Sequence, residues 1–103
     1  MIGIAGAGGL GSNVAVNLVR SGITDIKIVD FDVIEQSNLN RQFYFRDQIG
    51  QNKVNALYEN LKRINPSLNI KIVHQRLKKN NISHIFADCH IVVEAFDKKE
   101  YKS

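Results

Sequence analysis

The stretch I-G-I-A-G-A-G-G-L-G-S, residues 2–12, decides the fold. Its first part, Ile2–Ala5, is a short apolar run that predicts a buried strand. Four glycines follow at once and open a segment with helical spacing, so the stretch predicts a strand, a tight turn and a helix. Glycines in that context let phosphate oxygens approach backbone N–H groups where the helix N-terminus carries partial positive charge. We therefore predict a phosphate cradle formed by Gly6, Gly8, Gly9 and Gly11. The alternative is a glycine turn that only packs the strand against the helix.

Outward from this stretch, the apolar pattern alternates between helical and strand periodicity. The first helix is predicted from about Gly11 to Ser21, with Gly22 at its end and an apolar face made of Leu10, Val14, Ala15, Leu18 and Val19. Residues 31–51 are predicted to form a long loop. Three more strands are predicted at Asp25–Asp30, Asn69–His74 and Ile91–Ala95, and two more helices at Asn52–Ile64 and from Asn80 or Asn81 to Phe86. This order predicts an α/β, Rossmann-like doubly wound fold: a mainly parallel sheet, strand order 3-2-1-4, with helices on both faces.

Length and composition restrict the class of protein. A chain of 103 residues suits one domain. Fourteen Lys and Arg against ten Asp and Glu give a net charge of +4, which suits a phosphate-bearing ligand or nucleic acid. The basic residues are spread over separate elements, so we predict a solvated surface and no nucleic-acid partner. No apolar run approaches the ~20 residues that cross a membrane. A single cysteine excludes a disulfide framework within this chain, and the expected compartment is the cytoplasm.

Two carboxylates are predicted to join the glycines at one edge of the sheet. Asp30 ends the second strand, 19 residues after Gly11, where an acidic residue accepts hydrogen bonds from a ribose. Asp97 follows the fourth strand, and Asp32 belongs either to the same site or to the surface. With strand order 3-2-1-4, the carboxyl ends of neighbouring strands bring Asp30, Asp97 and the glycine turn together. Up to this point NAD and ATP fit equally well.

The long loop favours ATP over NAD. It contains S-N-L-N-R-Q at residues 37–42 and I-G-Q-N-K at residues 49–53. Arg41 offers a forked donor suited to phosphate, and Lys53 is a mobile point charge at a helix start, where a cation is disfavoured unless an anion compensates. A triphosphate under attack at phosphorus needs two such cations and a metal, whereas a dinucleotide is held by the glycine turn. The alternative is that Arg41 and Lys53 are ordinary surface charges.

Other chemically notable residues receive no catalytic role. Cys89 is predicted to be a core thiol at the entry to the fourth strand. The three histidines, predicted near the opposite strand ends or on the short helix, lack metal-ligand spacing. The aromatic run F-Y-F at residues 43–45 is predicted to cover a nucleotide, to form a subunit interface or, for one of the three, to pack in the core.

Taken together, these motifs resemble the ThiF/MoeB/ubiquitin-activating superfamily of adenylyltransferases. The matching text is G-A-G-G-L-G-S (6–12), V-D-F-D (29–32), S-N-L-N-R-Q (37–42), I-G-Q-N-K (49–53), I-N-P (64–66) and V-V-E-A-F-D (92–97). The wording is nearest to the shorter ThiF-like branch linked to thiazole synthesis for thiamine. The chain is expected to be the ATP-binding half of an adenylyltransferase domain, residues 1–103, and a fragment of a longer chain.

The resemblance implies an activity and a site. The activity is ATP-dependent adenylylation of the C-terminal carboxylate of a ubiquitin-like sulfur carrier protein ending in Gly-Gly, by an enzyme that forms a homodimer. Gly9 would lie against the nucleotide, Asp30 would hold the ribose, and Asp97 would bind Mg²⁺. Asn38 and Arg41 would contact the phosphates and Lys53 the α-phosphate region, so that Arg41 and Lys53 are the expected catalytic residues. The same site is expected to include Gly6, Gly8, Gly11, Asp32, Ser37 and Gln42. The alternatives are an NAD-dependent oxidoreductase, an enzyme like tRNA threonylcarbamoyladenosine dehydratase, and a non-catalytic nucleotide-binding module.

Overall fold

Helices and strands alternate along the chain in the computed structural model, which describes residues 1–36, 39, 42 and 44–95. The strands are β1 (Ile2–Ala5), β2 (Asp25–Asp30), β3 (Asn69–His74) and β4 (Ile91–Glu94). The helices are α1 (Gly9–Arg20), α2 (Lys53–Ile64) and the single turn α3 (Ile82–Ile85). A short 3-10 helix, Arg46–Gln48, interrupts the long connection between β2 and α2.

The four strands form one parallel sheet in the order β3-β2-β1-β4. The central strand β1 places Ile4 beside Ile28 of β2 on one side and beside Val93 of β4 on the other. The predicted class and strand order are confirmed. Because all four strands run the same way, their carboxyl ends meet at one edge, hereafter the carboxyl edge of the sheet.

Each face of the sheet carries its own apolar cluster. Ile4, Ile26 and Ile28 point to the face covered by α1 and α2, where they are fully buried. Ala5 and Val29 point to the opposite face, where the α3 segment covers them. Successive residues of a strand face opposite sides, so a strand buried on both faces has few polar positions. The uncharged β1 (I-G-I-A) reflects that double burial, and in the interior of β2 the charged Lys27 is the exception.

The buried face of α1 agrees with the predicted one at Ala15, Val19 and the partly buried Leu18, but not at Leu10. Leu10 is 61% exposed, while the buried positions are Gly11, Ser12, Ala15, Val16 and Val19. Small residues occupy most of this stripe because the first turn of the helix lies close against the turn that follows β1. Apolar spacing therefore found Ala15 and Val19 but not the small residues Gly11 and Ser12. The predicted end of the helix is confirmed, since Gly22 follows it with φ +102°.

Helix α2 lies within one residue of its predicted span. Val54, Leu57 and Leu61 are buried in the cluster between the helix and the sheet. The helix stops at Ile64, and Asn65 adopts an extended conformation before Pro66, as the residue preceding a proline usually does.

A polar cluster ties α3 to the sheet on the face away from α1 and α2. Lys27 of β2 is buried, and its ammonium donates to Ile85 O at 2.7 Å and to Asp88 Oδ1 at 2.5 Å. Lys71 of β3 reaches the other carboxylate oxygen at 3.2 Å. The Lys27 ammonium, and after it the Lys71 ammonium, hold the pKa of the Asp88 carboxyl well below its usual range. A buried lysine is tolerated here because the end of α3 supplies a carbonyl and the following turn supplies an anion.

This cluster predicts how stability changes with acid. Since the folded-state pKa of Asp88 lies below its unfolded value, the stabilisation is complete above that value, near 3.8, and is lost as the pH falls further. We expect Asp88→Asn to be less stable than the wild type at pH 7 and to lose less additional stability between pH 5 and pH 2. Urea unfolding at a series of pH values measures both effects. An unchanged acid dependence in the variant would show that the Lys27–Asp88 contact does not contribute. Asp25 remains in both proteins, and hydrogen bonds from Asn69 and Thr24 lower its pKa as well, so some acid dependence persists.

Candidate phosphate-binding site

The glycine turn lies at the carboxyl edge of the sheet and packs tightly against the start of α1. Gly6 has φ +105°, a conformation that side chains rarely adopt, and its N–H donates to Val29 O at 2.8 Å. A Cβ atom added at Gly11 would lie 1.9 Å from the carbonyl oxygen of Gly6. Gly6 therefore needs glycine for its backbone angle, and Gly11 needs it because the helix touches the turn.

The first turn of α1 suits an anion. Its N-cap residue is Gly8, which has no side chain to accept from the helix N–H groups, and the turn contains no acidic residue. Helix α1 has 12 residues, and the N–H groups of its first turn have no partner within the helix. The N-terminus of such a helix attracts negative charge. The predicted strand, turn and helix are thus present around Gly6, Gly8, Gly9 and Gly11, and phosphate binding there remains a prediction.

Asp30 joins the end of β2 to the glycine turn. Its side chain is buried, and Oδ2 accepts from Ala7 N at 2.6 Å. Oδ1 accepts from the N–H groups of Phe31 at 2.7 Å and Asp32 at 3.0 Å. A carboxylate has about four lone-pair sites, so three backbone donors leave one site on Oδ2 for a ligand such as a ribose hydroxyl. The sequence predicted the ligand role but not this structural role.

Lys53 is buried and paired, so the alternative that it is an ordinary surface charge is wrong, and its ammonium is less mobile than predicted. The residue is 6% exposed, and Nζ lies 3.7 Å from Asp32 Oδ2. Its backbone N–H donates to Asp32 O at 2.9 Å, which fixes the start of α2 beside the residues after β2. The expectation that a cation at a helix start needs a nearby anion is met within the protein by Asp32. Because the ammonium has three donors and this contact is long, it retains the capacity to bind a further anion.

Two buried residues of the long loop contact the glycine turn. The Tyr44 hydroxyl donates to Ala7 O at 2.6 Å and lies 3.4 Å from Lys53 O. Burial, reinforced by the negative charge of Asp30, raises the pKa of Tyr44 well above its usual value, so the hydroxyl stays protonated. Gln42 is also buried, with its amide beside Gly8, and its Oε1 has no hydrogen-bond partner among the described residues. Gln42 was a predicted site residue, whereas Tyr44 was one of three aromatic candidates without an assigned contact.

Some predicted site residues fall outside the part of the chain that the structure describes. They are Ser37, Asn38, Arg41 and Asp97. Their assignment to phosphate, ribose or magnesium remains a prediction from the sequence. Among the predicted residues that are described, the structure brings Asp30, Asp32, Gln42, Lys53 and the glycines to the carboxyl edge.

The carboxyl edge also holds residues that sequence reasoning placed elsewhere or missed. His74 ends β3 at this edge, not at the opposite one, and its Nε2 lies 2.9 Å from Phe31 O. The earlier placement was wrong because His74 is the last residue of the third strand. The Arg76 guanidinium lies 4.7 Å from the centre of the Phe31 ring. The sequence signal for this contact was the D-F-D segment at residues 30–32, in which the aromatic Phe31 follows the predicted ribose acceptor Asp30.

Cys89 is half-buried against the apolar cluster under α3, which agrees with its predicted packing role. Burial and the neighbouring Asp88 carboxylate raise the pKa of its thiol, which disfavours the nucleophilic thiolate.

In the described ranges, no group of three or more His, Cys, Asp or Glu side chains has a metal-holding arrangement. Nor does any helix in those ranges have the length and apolar character needed to cross a bilayer.

The chain has a parallel sheet with a glycine turn at its carboxyl edge, and the helix after that turn has an N-terminus suited to an anion. These features place the chain among Rossmann-like α/β proteins. The particular family follows from the sequence. The chain belongs to the ThiF family, which it matches over residues 1–103.

Its relatives include enzymes with named activities. The chain is 40% identical over 96 residues to SUMO-activating enzyme subunit 2 of Dictyostelium discoideum, covering 91% of this chain and 14% of that protein. It is 40% identical over 93 residues to a probable molybdopterin-synthase adenylyltransferase of Porphyra purpurea, covering 89% and 24%. The E. coli tRNA N6-threonylcarbamoyladenosine dehydratase TcdA, solved in complex with ATP, superposes with a TM-score of 0.87 and 31% identity over 93% of this chain and 40% of that one. The chain thus spans less than half of each of these proteins.

The Asp30 geometry predicts a specific stability defect. An asparagine at this position keeps the shape but offers only one carbonyl oxygen, so either Ala7 N or the Phe31 and Asp32 N–H groups lose their acceptor. Leaving such a buried donor unpaired costs about 1–3 kcal/mol. We expect Asp30→Asn to lower the free energy of unfolding by that amount, measured by urea denaturation. Asp47→Asn, which makes the same change at an exposed position, is the control. Equal stability of the two variants would contradict the structural role of Asp30.

Proposed function

We propose that the full-length protein is an adenylyltransferase that transfers AMP from ATP to the C-terminal carboxylate of a ubiquitin-like sulfur carrier protein ending in Gly-Gly. One observation carries the proposal. The Tyr44 hydroxyl lies within 3.4 Å of both Ala7 O and Lys53 O, so the glycine turn and the start of α2 are direct neighbours. An anion cradle made of backbone N–H groups and a buried lysine therefore share the edge at which parallel sheets bind ligands.

The proposed reaction needs positioning and charge more than acid–base chemistry. A carboxylate oxygen of the carrier attacks the α-phosphorus of ATP, and the bond from that phosphorus to the bridging oxygen of the β-phosphate breaks. The products are an acyl-adenylate and pyrophosphate. Because the attacking carboxylate is ionised at neutral pH, no general base is required. The protein's work is to align two anions and to offset the charge that builds up around phosphorus.

Each residue has a distinct role in this proposal. The N–H groups at Gly8 and Gly9 hold the phosphates, and the remaining acceptor site of Asp30 binds a ribose hydroxyl. Lys53 directs an N–H of its ammonium toward the α-phosphate while Asp32 keeps that ammonium at the carboxyl edge. Arg41, with Ser37, Asn38 and Gln42 from the same loop, is assigned to the phosphates by its sequence motif. The buried Gln42 amide beside Gly8 supports that assignment for the loop.

Magnesium is proposed as the metal of the reaction, with Asp97 as its protein ligand. A bound Mg²⁺ would supply charge neutralisation on the phosphate oxygens, and carboxylate oxygens are the donors that it prefers. The chemistry of this donor type fits the ion, and the sheet order supports the location, because Asp97 follows β4, the neighbour of β1.

The relatives support the reaction class and, more loosely, the substrate. A relative named as a molybdopterin-synthase adenylyltransferase and another named as a SUMO-activating enzyme both match about nine-tenths of this chain. Their names describe activation of a protein partner, which favours a carrier protein here. A role in thiamine synthesis, assembly as a homodimer and a cytoplasmic location remain parts of the proposal that rest on the sequence motifs alone.

A second candidate substrate is a carboxylate carried on tRNA. The structural likeness to TcdA, with a TM-score of 0.87 in the ATP complex, favours this branch of the same chemistry. Incubation of the full-length protein with labelled ATP and either a Gly-Gly-ended carrier or tRNA bearing threonylcarbamoyladenosine separates the two. A carrier adenylate supports the first substrate and a modified tRNA the second.

Competition calorimetry with Mg-ATP and NAD tests the oxidoreductase alternative. Binding of ATP without ATP–pyrophosphate exchange would identify a non-catalytic module.

The proposal predicts that Lys53 acts in the chemical step. Lys53→Met keeps the apolar stem and removes the ammonium, so ATP–pyrophosphate exchange in the full-length protein should fall about 10²–10³-fold, the usual effect of removing one transition-state charge contact. Lys79→Met, an exposed lysine beyond β3, is the matched control and should retain normal exchange. A folded Lys53→Met protein with wild-type exchange would refute the proposed role.

A further inference from the structure

The Ala7–Gly8 peptide is held in one orientation by a side chain that none of the assigned roles uses. We infer that Tyr44 is a positioning residue for the phosphate site: its hydroxyl fixes this peptide so that the Gly8 N–H group faces the ligand. This inference rests on the proposed function, because it concerns how the cradle binds the phosphates of ATP.

The orientation follows from the geometry of the peptide bond. The chain has no cis peptide bond among its described residues, so the Ala7 carbonyl and the Gly8 N–H group point in opposite directions. The Ala7 carbonyl points into the core, where it accepts from the Tyr44 hydroxyl at 2.6 Å. The Gly8 N–H group must therefore point away from the core. Gly8 itself is half-buried while Ala7 is fully buried, so the peptide lies at the boundary between core and surface.

Ala7 is held at both of its polar groups. Its N–H donates to Asp30 and its carbonyl accepts from Tyr44. A hydroxyl has one proton to donate, and the shorter contact shows that Ala7 O receives it, whereas Lys53 O is 3.4 Å away. Burial keeps this hydroxyl protonated, as its raised pKa indicates, so the donor is present throughout the physiological pH range.

Tyr44 is itself rigidly placed. The next residue, Phe45, donates its N–H to Gln48 Oε1 at 3.0 Å. The Gln48 side chain forms a reciprocal pair of hydrogen bonds with Asn60 of α2, at 2.8 and 3.0 Å, and both residues are buried. The tyrosine ring is packed in the cluster between the sheet and α2, where the residue is 5% exposed. The hydroxyl is therefore a fixed donor and not an adaptable one.

Removal of the Tyr44 hydroxyl should allow the Ala7–Gly8 peptide to flip, and the flip would damage the phosphate cradle. Without Tyr44 Oη, the Ala7 carbonyl is buried without its donor, which is unfavourable. A flip of the peptide turns that oxygen outward, and glycine at position 8 accepts the positive φ that a flip requires. A carbonyl oxygen then replaces an N–H group where the phosphate binds. The affinity for the phosphates should therefore fall, while the affinity for the nucleoside should not change.

The test compares Tyr44→Phe with wild type in the full-length protein. We expect the Kd for ATP, measured by calorimetry, to rise about 5- to 10-fold, the effect of one hydrogen bond in a buried site. The Kd for adenosine, which has no phosphate, should stay within twofold. The KM for ATP should rise with kcat nearly unchanged, as expected for a contact made equally in ground and transition states. In glycine-labelled protein the Gly8 amide resonance should shift.

Tyr58→Phe is the matched control, since Tyr58 lies on α2 with an exposed ring. It removes a tyrosine hydroxyl without touching the glycine turn and should bind ATP like wild type. Two results would overturn the inference: unchanged ATP affinity in Tyr44→Phe, or equal weakening for ATP and adenosine, which indicates general damage to the fold. If the wild-type protein binds no ATP, the proposed function fails instead. The Gly8 amide resonance then tests separately whether Tyr44 holds the peptide. A resonance at the same position in Tyr44→Phe and the wild type would show that it does not.

Discussion

The two polar groups of Ala7 are the constraint on which the site depends. Ala7 is fully buried, so its N–H and its carbonyl each require a partner, and both partners are side chains from distant parts of the chain. Asp30 supplies the acceptor from the end of β2, and Tyr44 supplies the donor from the long loop. Satisfying these two groups therefore fixes the glycine turn against the second strand, and brings the loop and the start of α2 to the same place.

The two faces of the sheet have different side chains and different roles in the fold. The face under α1 and α2 carries large apolar side chains up to the carboxyl edge, where polar groups replace them. The opposite face carries a smaller cluster and the Lys27–Asp88–Lys71 contacts that hold α3. Because the α1–α2 face bears the helix that begins at the glycine turn, the candidate anion site is built on packed elements of the fold. Pre-organised donors of this kind bind charge without paying for rearrangement during the reaction.

Periodicity predicted the fold well because each strand of a doubly wound sheet has its own apolar pattern within a few consecutive residues. The span of β3 matches its prediction, and the order of strands follows from handedness rules that hold for most parallel sheets. On α1 only Leu10 was placed on the wrong face, since the helix buries the small residues Gly11 and Ser12 beside the glycine turn instead. Close approach between a helix and a turn depends on small residues, and hydrophobicity does not reveal them.

The site was predicted in its residue types but not in its contacts. The sequence identified Asp30 and Lys53, yet the pairing of Lys53 with Asp32 and the three backbone donors on Asp30 depend on tertiary geometry. Tyr44 was undistinguished among three consecutive aromatic residues, because nothing local indicates which of them turns inward. The histidine at the end of β3 was placed at the wrong edge, although its position as the last strand residue was visible.

The central claim is that backbone N–H groups of the glycine turn and the Lys53 ammonium bind the phosphates of one nucleotide. A crystal structure of the full-length protein with a non-hydrolysable ATP analogue tests it most directly. The account predicts phosphate oxygens within about 2.7–3.2 Å of the Gly8 or Gly9 N–H groups and of Lys53 Nζ. A nucleotide bound away from the glycine turn, or one bound there while Lys53 contacts only Asp32, would contradict it.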